Sequence, residues 1–279
     1  MPPSDSVPQN QPDAESHPDF ETLLVTRPAP AVLLVTLNRP EAANAFNTQM
    51  ARDLIQLFEE LNLAPGETSV AIVTGSGTRA FCAGGDLKER HGMSDAAWFE
   101  QHLVYERMVR AVIDCPLPLI GAINGAAYGG GCELACALDF LYVADSARFA
   151  QTEVKVGIIP GAGGTQTLTR AVGARRAKEL ILRGRPFGAA EALDWGLANA
   201  VFPQEELLAA AVATAREIAA NAPVAVRQAK SAIAHGGQVS LSEGLRFEIE
   251  AYNRTVGTAD RREGVAAFNE RRQPTFKGR

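Results

Sequence analysis

Short apolar runs alternate with longer stretches of helical periodicity over the first half of the chain. Two β-branched runs, residues 22–27 and 31–37, flank a Pro-Ala-Pro turn and predict a pair of neighbouring strands. Further strands are predicted at residues 70–74, 117–123 and 140–144. Helices are predicted up to about Leu63 after an N-cap at Asn47, at residues 94–113, and from about Gly130. This alternation indicates an α/β architecture with a mostly parallel sheet that is buried on both faces.

The character of the chain changes after about Gly173, where helical periodicity dominates. Helices are predicted at residues 174–182, 189–195, 205–220, 224–234 and 241–255. We therefore expect an α/β core at residues 19–200 and a helical C-terminal region at residues 201–279. Residues 1–18 are polar and rich in proline, and we expect them to form a disordered tail. The sequence shows no internal repeat.

Composition narrows the classes of function. The 279 residues are 46% hydrophobic and 21% charged, with a net charge of −5. That balance provides no polybasic surface for nucleic acid or for an anionic membrane. No apolar run reaches the length of about 20 residues that a membrane span needs. The N-terminus carries no secretory signal pattern, so we expect a cytoplasmic protein without membrane or nucleic-acid partners.

The cysteines and histidines give little support for metal or thiol chemistry. None of the four cysteines forms a CxxC pair, and they are interpreted as free thiols in a reducing compartment. The four histidines are scattered, without an HxxxH or HExxH pattern, and neither common phosphate-binding glycine motif is present. We therefore expect no metal site.

Two glycine-rich loops follow two of the predicted strands. Residues 75–85 form one loop, which ends in two consecutive glycines, and residues 129–131 are three glycines that open a helix. Glycine allows the main chain to approach a ligand closely, and the first N–H groups of a helix have no partner within the helix. Two such loops can aim two N–H donors at one oxygen and form an oxyanion hole. Close packing between helix and strand would explain the three glycines equally well.

Two glutamates lie close to these loops in the sequence. Glu133 lies in the first turn of the helix that the glycines open, inside an otherwise apolar run. Glu153 precedes a third glycine-rich turn at residues 157–165. Two carboxylates beside a polarised carbonyl can act as a general acid and base. The alternatives are a helix-dipole partner for Glu133 and a solvated loop charge for Glu153.

Three long segments carry a family resemblance. FCAGGDLKE, NGAAYGGGCELA and AQTEVKVGIIPGAGGTQTLTR resemble signature segments of the enoyl-CoA hydratase/isomerase, or crotonase, family, and LNRPEAANAFN resembles its early CoA-contacting turn. The resemblance extends over residues 20–279. It implies a crotonase-like spiral of β-β-α repeats with a helical C-terminal region that serves trimerisation. It also implies an acyl-CoA thioester substrate and a homotrimer or homohexamer.

The resemblance assigns roles to particular residues. It implies that the N–H groups of Gly85 and Gly130 form the oxyanion hole, that Glu133 orients and activates a water, and that Glu153 transfers a proton at Cα. Gly161 would add a main-chain contact that holds the water or Glu153. This pair of glutamates favours hydration of a trans-2-enoyl-CoA to a 3-hydroxyacyl-CoA. No cofactor would be needed beyond the CoA that belongs to the substrate.

The same resemblance places the CoA moiety. Ala83, Asp86, Leu87 and Lys88 would flank the pantetheine or phosphate path, and Ala42 would lie on the adenine side. Relatives often carry alanine where this chain has Gly85, and because the donor is main chain, the role is preserved.

Several alternatives stay open at this point. The segments LKER and PVAVRQAKSAI also resemble the methylglutaconyl-CoA hydratase branch, whose polar substrate would want a cationic partner in the acyl pocket. A Δ3-Δ2 enoyl-CoA isomerase or another crotonase-type lyase could use Glu153 alone. Trp98 and Phe99 could line the acyl pocket or belong to the core. A function of another class, RNA binding, would rest on the basic residues Arg175, Arg176, Lys178, Arg183 and Arg185.

Overall fold

The computed structural model describes residues 20–279, so the predicted tail at residues 1–18 lies outside the described residues. The strands are β1 (Leu23–Ala29), β2 (Val32–Leu37), β3 (Val70–Gly75), β4 (Ala80–Cys82), β5 (Leu119–Ile123), β6 (Ala126–Tyr128), β7 (Phe140–Ala144), β8 (Arg148–Ala150), β9 (Phe187–Gly188) and β10 (Ala200–Phe202). The helices are α1 (Thr48–Leu63), α2 (Leu87–Arg90), α3 (Asp95–Ile113), α4 (Gly130–Cys136), α5 (Gly164–Val172), α6 (Ala174–Arg183), α7 (Ala189–Asp194), α8 (Leu207–Ala219), α9 (Pro223–Gly236), α10 (Leu241–Val256) and α11 (Ala259–Glu270). Two 3₁₀ turns lie at Pro40–Ala42 and Glu153–Val156.

The strands form two sheets. The larger sheet has the order β1-β2-β3-β5-β7-β10, in which only the β1-β2 hairpin is antiparallel. The smaller sheet has the order β4-β6-β8-β9. β3 and β5 are buried along their whole length, as expected for strands that are covered on both faces. The predicted mostly parallel sheet is therefore confirmed.

Three successive β-β-α units connect the two sheets. The units β3-β4-α3, β5-β6-α4 and β7-β8-α5 each place one strand in the larger sheet, the next in the smaller sheet, and then a helix. Each unit adds a parallel strand beside the previous one in both sheets. The expected spiral of β-β-α repeats is thus confirmed, although the repeat is one of structure and not of sequence.

Several short elements were not predicted. β4, β6, β8 and β10 have three residues each, too few to show an alternation of apolar and polar positions. The segment around α5 was interpreted as a glycine-rich turn because two glycines stand at its start. α1 and α3, in contrast, agree with their predicted bounds, and the side chains of Asn47 and Ser94 cap them.

The helical C-terminal region has two parts. α8 packs against β1, β2, β3, β5 and β7 of the larger sheet, whereas α9 and α10 pack mainly against each other. The boundary at residue 200 between core and C-terminal region stays a prediction. Within residues 20–279, no helix combines the length and apolar content that crossing a membrane would require.

Candidate active site

A cavity of about 440 Å³ lies where three loop segments and α3 meet. Its lining includes Gly85, Gly130, Glu133 and Glu153, the four residues expected to be catalytic. Ala83, Leu87 and Gly161 also line it. Up to 78 positions separate these residues in the sequence, from 83 to 161. The β-β-α units bring them together because the strands that the units contribute to the smaller sheet end at the same side of it.

The loop that carries Gly85 is fixed to the segment before α1. The N–H of Phe46 donates to the carbonyl of Gly84 at 2.9 Å, and the N–H of Asp86 donates to the carbonyl of Phe46 at 3.0 Å. Gly85 lies between these two bonds as one residue of an isolated parallel bridge. Its own N–H donates no hydrogen bond to any residue among 20–279.

The second loop leaves a matching donor at the start of α4. Gly129 adopts φ 52°, which favours glycine, and its N–H donates to the carbonyl of Ala150 on β8 at 2.8 Å. Its carbonyl accepts from the N–H groups of Cys132 and Glu133. The N–H of Gly130, as the first of the helix, has no acceptor in the described part of the chain. Two unpaired main-chain donors therefore face one cavity.

The ring of Phe46 supports both donor loops. A Cβ added at Gly130 would overlap this ring, which is buried and packs edge-on against Tyr105. A Cβ added at Gly85 would lie 3.5 Å from Tyr105 and 3.8 Å from Phe46, in ordinary contact. Position 130 therefore excludes a side chain, whereas position 85 accepts a methyl group.

Glu133 is a buried carboxylate held by main-chain donors. Its side chain points toward the start of α5, where Oε1 accepts from the N–H of Ala162 at 2.8 Å and of Gly164 at 2.7 Å. Burial raises the pKa of Glu133, and the N–H groups of Gly164, Ala162 and Gly161 oppose that rise. Gly161 thus lies beside Glu133. Its predicted role in holding the water or Glu153 stays a prediction.

Glu153 lies at the start of a 3₁₀ turn and is also buried. Burial raises its pKa to about 7; its own N–H opposes the rise and the charge of Glu133 adds to it. With its amide nitrogen turned toward this carboxylate, Gln151 donates to Oε1 at 3.0 Å and to Oε2 at 3.1 Å. The two glutamates are close enough to influence each other's ionisation, and three main-chain N–H groups oppose the pKa rise at Glu133 where one does so at Glu153. This difference suits Glu153 to carry a proton near neutral pH.

A neighbouring cavity of about 620 Å³ shares Ala83, Gly85 and Leu87 with the first. Ala42, Asp86 and Lys88 line it as well, so the residues expected to contact CoA lie together. The carboxylate of Asp86 is already engaged, because it caps α2 and pairs with Arg39 at 3.0 Å. Burial alone would raise the pKa of Asp86, but the Arg39 guanidinium and the N–H groups of Lys88 and Glu89 lower it. Asp86 therefore fixes the loop that carries Gly85.

Further residues of the site were not assigned from the sequence. Trp98 and Phe99, for which pocket and core were both open, line the cavity, and Phe99 is 72% exposed. Arg90 and His102 line it too. Two of the site residues lie in quoted segments, since LKER ends in Arg90 and LNRPEAANAFN contains Phe46. Neither segment indicated that the side chain lines the cavity.

Comparisons with known proteins identify related chains and structures. The family model for enoyl-CoA hydratase/isomerase matches residues 28–279. YngF of Bacillus subtilis, named for that same family, is 43% identical over 258 residues, which cover 92% of this chain and 99% of the relative. The short-chain-enoyl-CoA hydratase of Clostridium acetobutylicum is 39% identical over 249 residues, covering 89% and 95% of the two chains. The crystal structure of an enoyl-CoA hydratase from Bacillus anthracis is similar with a TM-score of 0.91 and 43% identity, covering 93% of this chain and 100% of that one.

Proposed function

The chain belongs to the enoyl-CoA hydratase/isomerase family, and from this membership we propose that it is an enoyl-CoA hydratase. The reaction is the reversible syn addition of water across the trans-2 double bond of an enoyl-CoA, which gives a 3-hydroxyacyl-CoA. The observation that carries the proposal is the meeting of two unpaired N–H donors and two buried glutamates in one cavity. The family's acyl-CoA thioester is the corresponding substrate.

The residues divide the chemistry between them. The N–H groups of Gly85 and Gly130 receive the thioester oxygen as negative charge builds on it, and each such donor contributes roughly 3 kcal/mol in enzymes where this has been tested. Glu133 and Glu153 both hold the water. Glu133 activates it for attack at Cβ, and Glu153 delivers a proton to Cα. The thioester is the electron sink, so the proposed mechanism uses no metal or redox cofactor.

The neighbouring cavity is the proposed path of the CoA moiety. Because Ala83, Gly85 and Leu87 line both cavities, a thioester bound at Gly85 can extend its pantetheine arm from one into the other. The 3₁₀ turn that contains Ala42 lies at the adenine end of this path. Lys88 is exposed there and can pair with a phosphate.

We also propose that the protein assembles as a homotrimer, or as a hexamer of paired trimers. Helices α9 to α11 support this, because several of their large apolar side chains are exposed. These side chains are Ile233, Leu241, Leu245, Ile249, Tyr252, Val265 and Phe268. Sedimentation equilibrium would measure the assembly, and a monomer at micromolar concentration would contradict it.

Three of the five basic residues on which RNA binding would rest already have partners within the chain. Arg176 stacks on the ring of Trp195 at 4.2 Å from its centroid, Arg183 pairs with Glu179, and Arg185 pairs with Glu191. Side chains that are already partnered within the chain offer no continuous stripe of free positive charge.

The proposal is tested by the loss of the conjugated enoyl-thioester absorbance with purified protein and crotonyl-CoA. Gly130→Ala and Gly85→Ala form a matched pair, because both add one methyl group beside a proposed donor. We expect Gly130→Ala to lower kcat/KM about 100-fold, as for the loss of one oxyanion donor. Gly85→Ala should stay within about threefold, since the donor is main chain and the methyl group has room. Equal losses in both variants would contradict the assigned hole, and no turnover by the folded wild type would contradict hydration.

A further inference from the structure

Arg90 is a buried cation at the wall of the acyl cavity. It is the last residue of α2, and only 8% of its surface is exposed. Its guanidinium stacks on Trp98, with Cζ 4.1 Å from the ring centroid, and lies 5.0 Å from the centroid of Tyr105. Its Nε donates to Oε1 of Gln101 at 2.7 Å. These contacts fix the position of the guanidinium.

The charge of Arg90 has no ion-pair partner among the described residues. Glu89 is the adjacent carboxylate, but it lies outside ion-pair distance, and its oxygens accept from Thr48 N–H and from the Gln101 amide. The guanidinium also donates a side-chain hydrogen bond to Tyr105. Every fully buried side-chain nitrogen and oxygen within residues 20–279 has a partner. Arg90 lines the cavity, so a group bound there can reach its guanidinium.

Such an arrangement is costly unless something else pairs with the charge. A guanidinium stays ionised in proteins, and burying it without a counter-ion carries a desolvation penalty. Burial lowers the pKa of Arg90, and the nearby Tyr105 hydroxyl and Glu89 carboxylate oppose this effect only in part. Stacking on Trp98 provides an attraction to the ring face but no neutralising charge. A planar guanidinium can present two N–H groups to a carboxylate, which accepts two parallel hydrogen bonds from it.

Resting on the proposed hydratase function, we propose that the substrate is an enoyl-CoA whose acyl chain ends in a carboxylate, and that Arg90 binds this carboxylate. The substrate class is the CoA monothioester of an unsaturated dicarboxylic acid. The thioester end then lies at Gly85 and Gly130, and the acid end lies at Arg90, which lines the same cavity. His102, one helical turn beyond Trp98 on α3, also lines the cavity and adds a second polar group.

A neutral acyl chain is the competing occupant. Val156, Ile158 and Ile159 form an apolar part of the same wall, and such a chain could lie on them while Arg90 stayed in contact with water. The two occupants differ in one measurable quantity. This is the ratio of kcat/KM for an acid-ended substrate to kcat/KM for a neutral substrate of the same length.

The experiment compares trans-pent-2-enedioyl-CoA with trans-pent-2-enoyl-CoA, which have the same carbon count and differ in the terminal group. We expect the wild type to favour the diacid thioester by about 30-fold in kcat/KM, the scale of a hydrogen-bonded charge pair. In Arg90→Met this ratio should fall at least about tenfold, chiefly through KM for the diacid, and Arg90→Lys should retain an intermediate ratio. Arg110→Met, at an exposed position on α3, is the matched control and should leave the ratio unchanged.

The outcomes separate the two proposals. Hydration of both thioesters with no preference for the diacid, or the same ratio in wild type and Arg90→Met, would overturn the role of Arg90 and leave the hydratase function intact. Hydration of neither thioester by the folded wild type would overturn the hydratase function itself. If Arg90→Met does not fold, the ratio in the wild type and in Arg90→Lys still decides the question.

Discussion

Two short segments of the chain each deliver a buried glutamate to the same cavity, and they hold it differently. Glu133 lies on α4, and main-chain N–H groups at the start of α5 donate to its carboxylate. Glu153 lies in a 3₁₀ turn, and its partner is the side-chain amide of Gln151. Three main-chain N–H groups oppose the pKa rise at Glu133, whereas one does so at Glu153. Two residues of one type can therefore take the base and the acid role because of their surroundings.

The largest effect is expected from removing the carboxylate of Glu133, to which main-chain N–H groups donate. Glu133→Gln should lower kcat/KM for crotonyl-CoA hydration by roughly 10³-fold, because the water loses its base. Isomerisation of a 3-enoyl-CoA, which can use Glu153 alone, should persist and can be measured in the same preparation. A hydration rate close to that of the wild type would contradict the role of Glu133 and favour the isomerase alternative.

A smaller effect is expected from displacing Glu133 relative to its main-chain donors while its carboxylate is kept. In Gly164→Ala the new Cβ would lie 2.8 Å from Cγ of Glu133 and 2.7 Å from the Gln151 amide, so the glutamate must move. A displacement of this kind should lower kcat by about 100-fold. Gly257→Ala, where an added Cβ meets nothing within 4 Å, is the control in the same assay. Equal rates in the two variants would show that the main-chain segment at the start of α5 does not position Glu133.

The acid role of Glu153 predicts a pH dependence. Its pKa of about 7 means that the proton it donates is lost as the pH rises through neutrality. The kcat/KM for hydration should therefore fall about tenfold per pH unit above that value. Glu153→Gln should be slower at every pH and should lack this decline. The same decline in the variant would assign it to another group.

The smallest effect concerns stability. The pKa of Glu153 is raised from 4.5 to about 7 on folding, so its protonated form stabilises the fold fully below pH 4.5, and this contribution disappears as the pH rises through 7. Between pH 4.5 and pH 8 the wild type should lose on the order of 2 to 3 kcal/mol of unfolding free energy relative to Glu153→Gln.

Urea denaturation at both pH values measures this difference, with Glu205→Gln at an exposed position as the control. An equal pH dependence in wild type and Glu153→Gln would indicate that folding does not shift the pKa of Glu153. That result would also weaken the contrast with Glu133.

Most of the larger elements could be predicted because their signals are local, although the 12-residue helix α11 was not predicted. Asn47 caps α1 at the predicted position, and the apolar run of β3 ends within one residue of its predicted bound. The three-residue strands β4, β6 and β8 could not be predicted, since their pairing partners come from other β-β-α units. Their existence depends on the tertiary fold more than on local sequence.

The candidate site shows the same limit. Glu133 and Glu153 could be proposed from the sequence, but the donors that distinguish them could not. Ala162 and Gly164 lie 29 and 31 residues beyond Glu133, and only the packing of α5 against α4 brings them within reach. Arg90 ends a four-residue helix, too short for any periodicity to indicate which way its side chain points.

The ring of Phe46 makes the two donor positions unequal in evolution. Alanine can arise at position 85 without any other change, because the methyl group meets only ordinary contacts. Alanine at position 130 meets the Phe46 ring, so it becomes tolerable only after position 46 has lost its aromatic side chain. The substitutions at positions 46 and 130 are therefore epistatic, because the effect of one depends on the residue at the other position. Alanine first at position 130 passes through an enzyme with a damaged oxyanion hole, and loss of the Phe46 ring first removes the support that both donor loops share, so neither order passes through an unaffected enzyme.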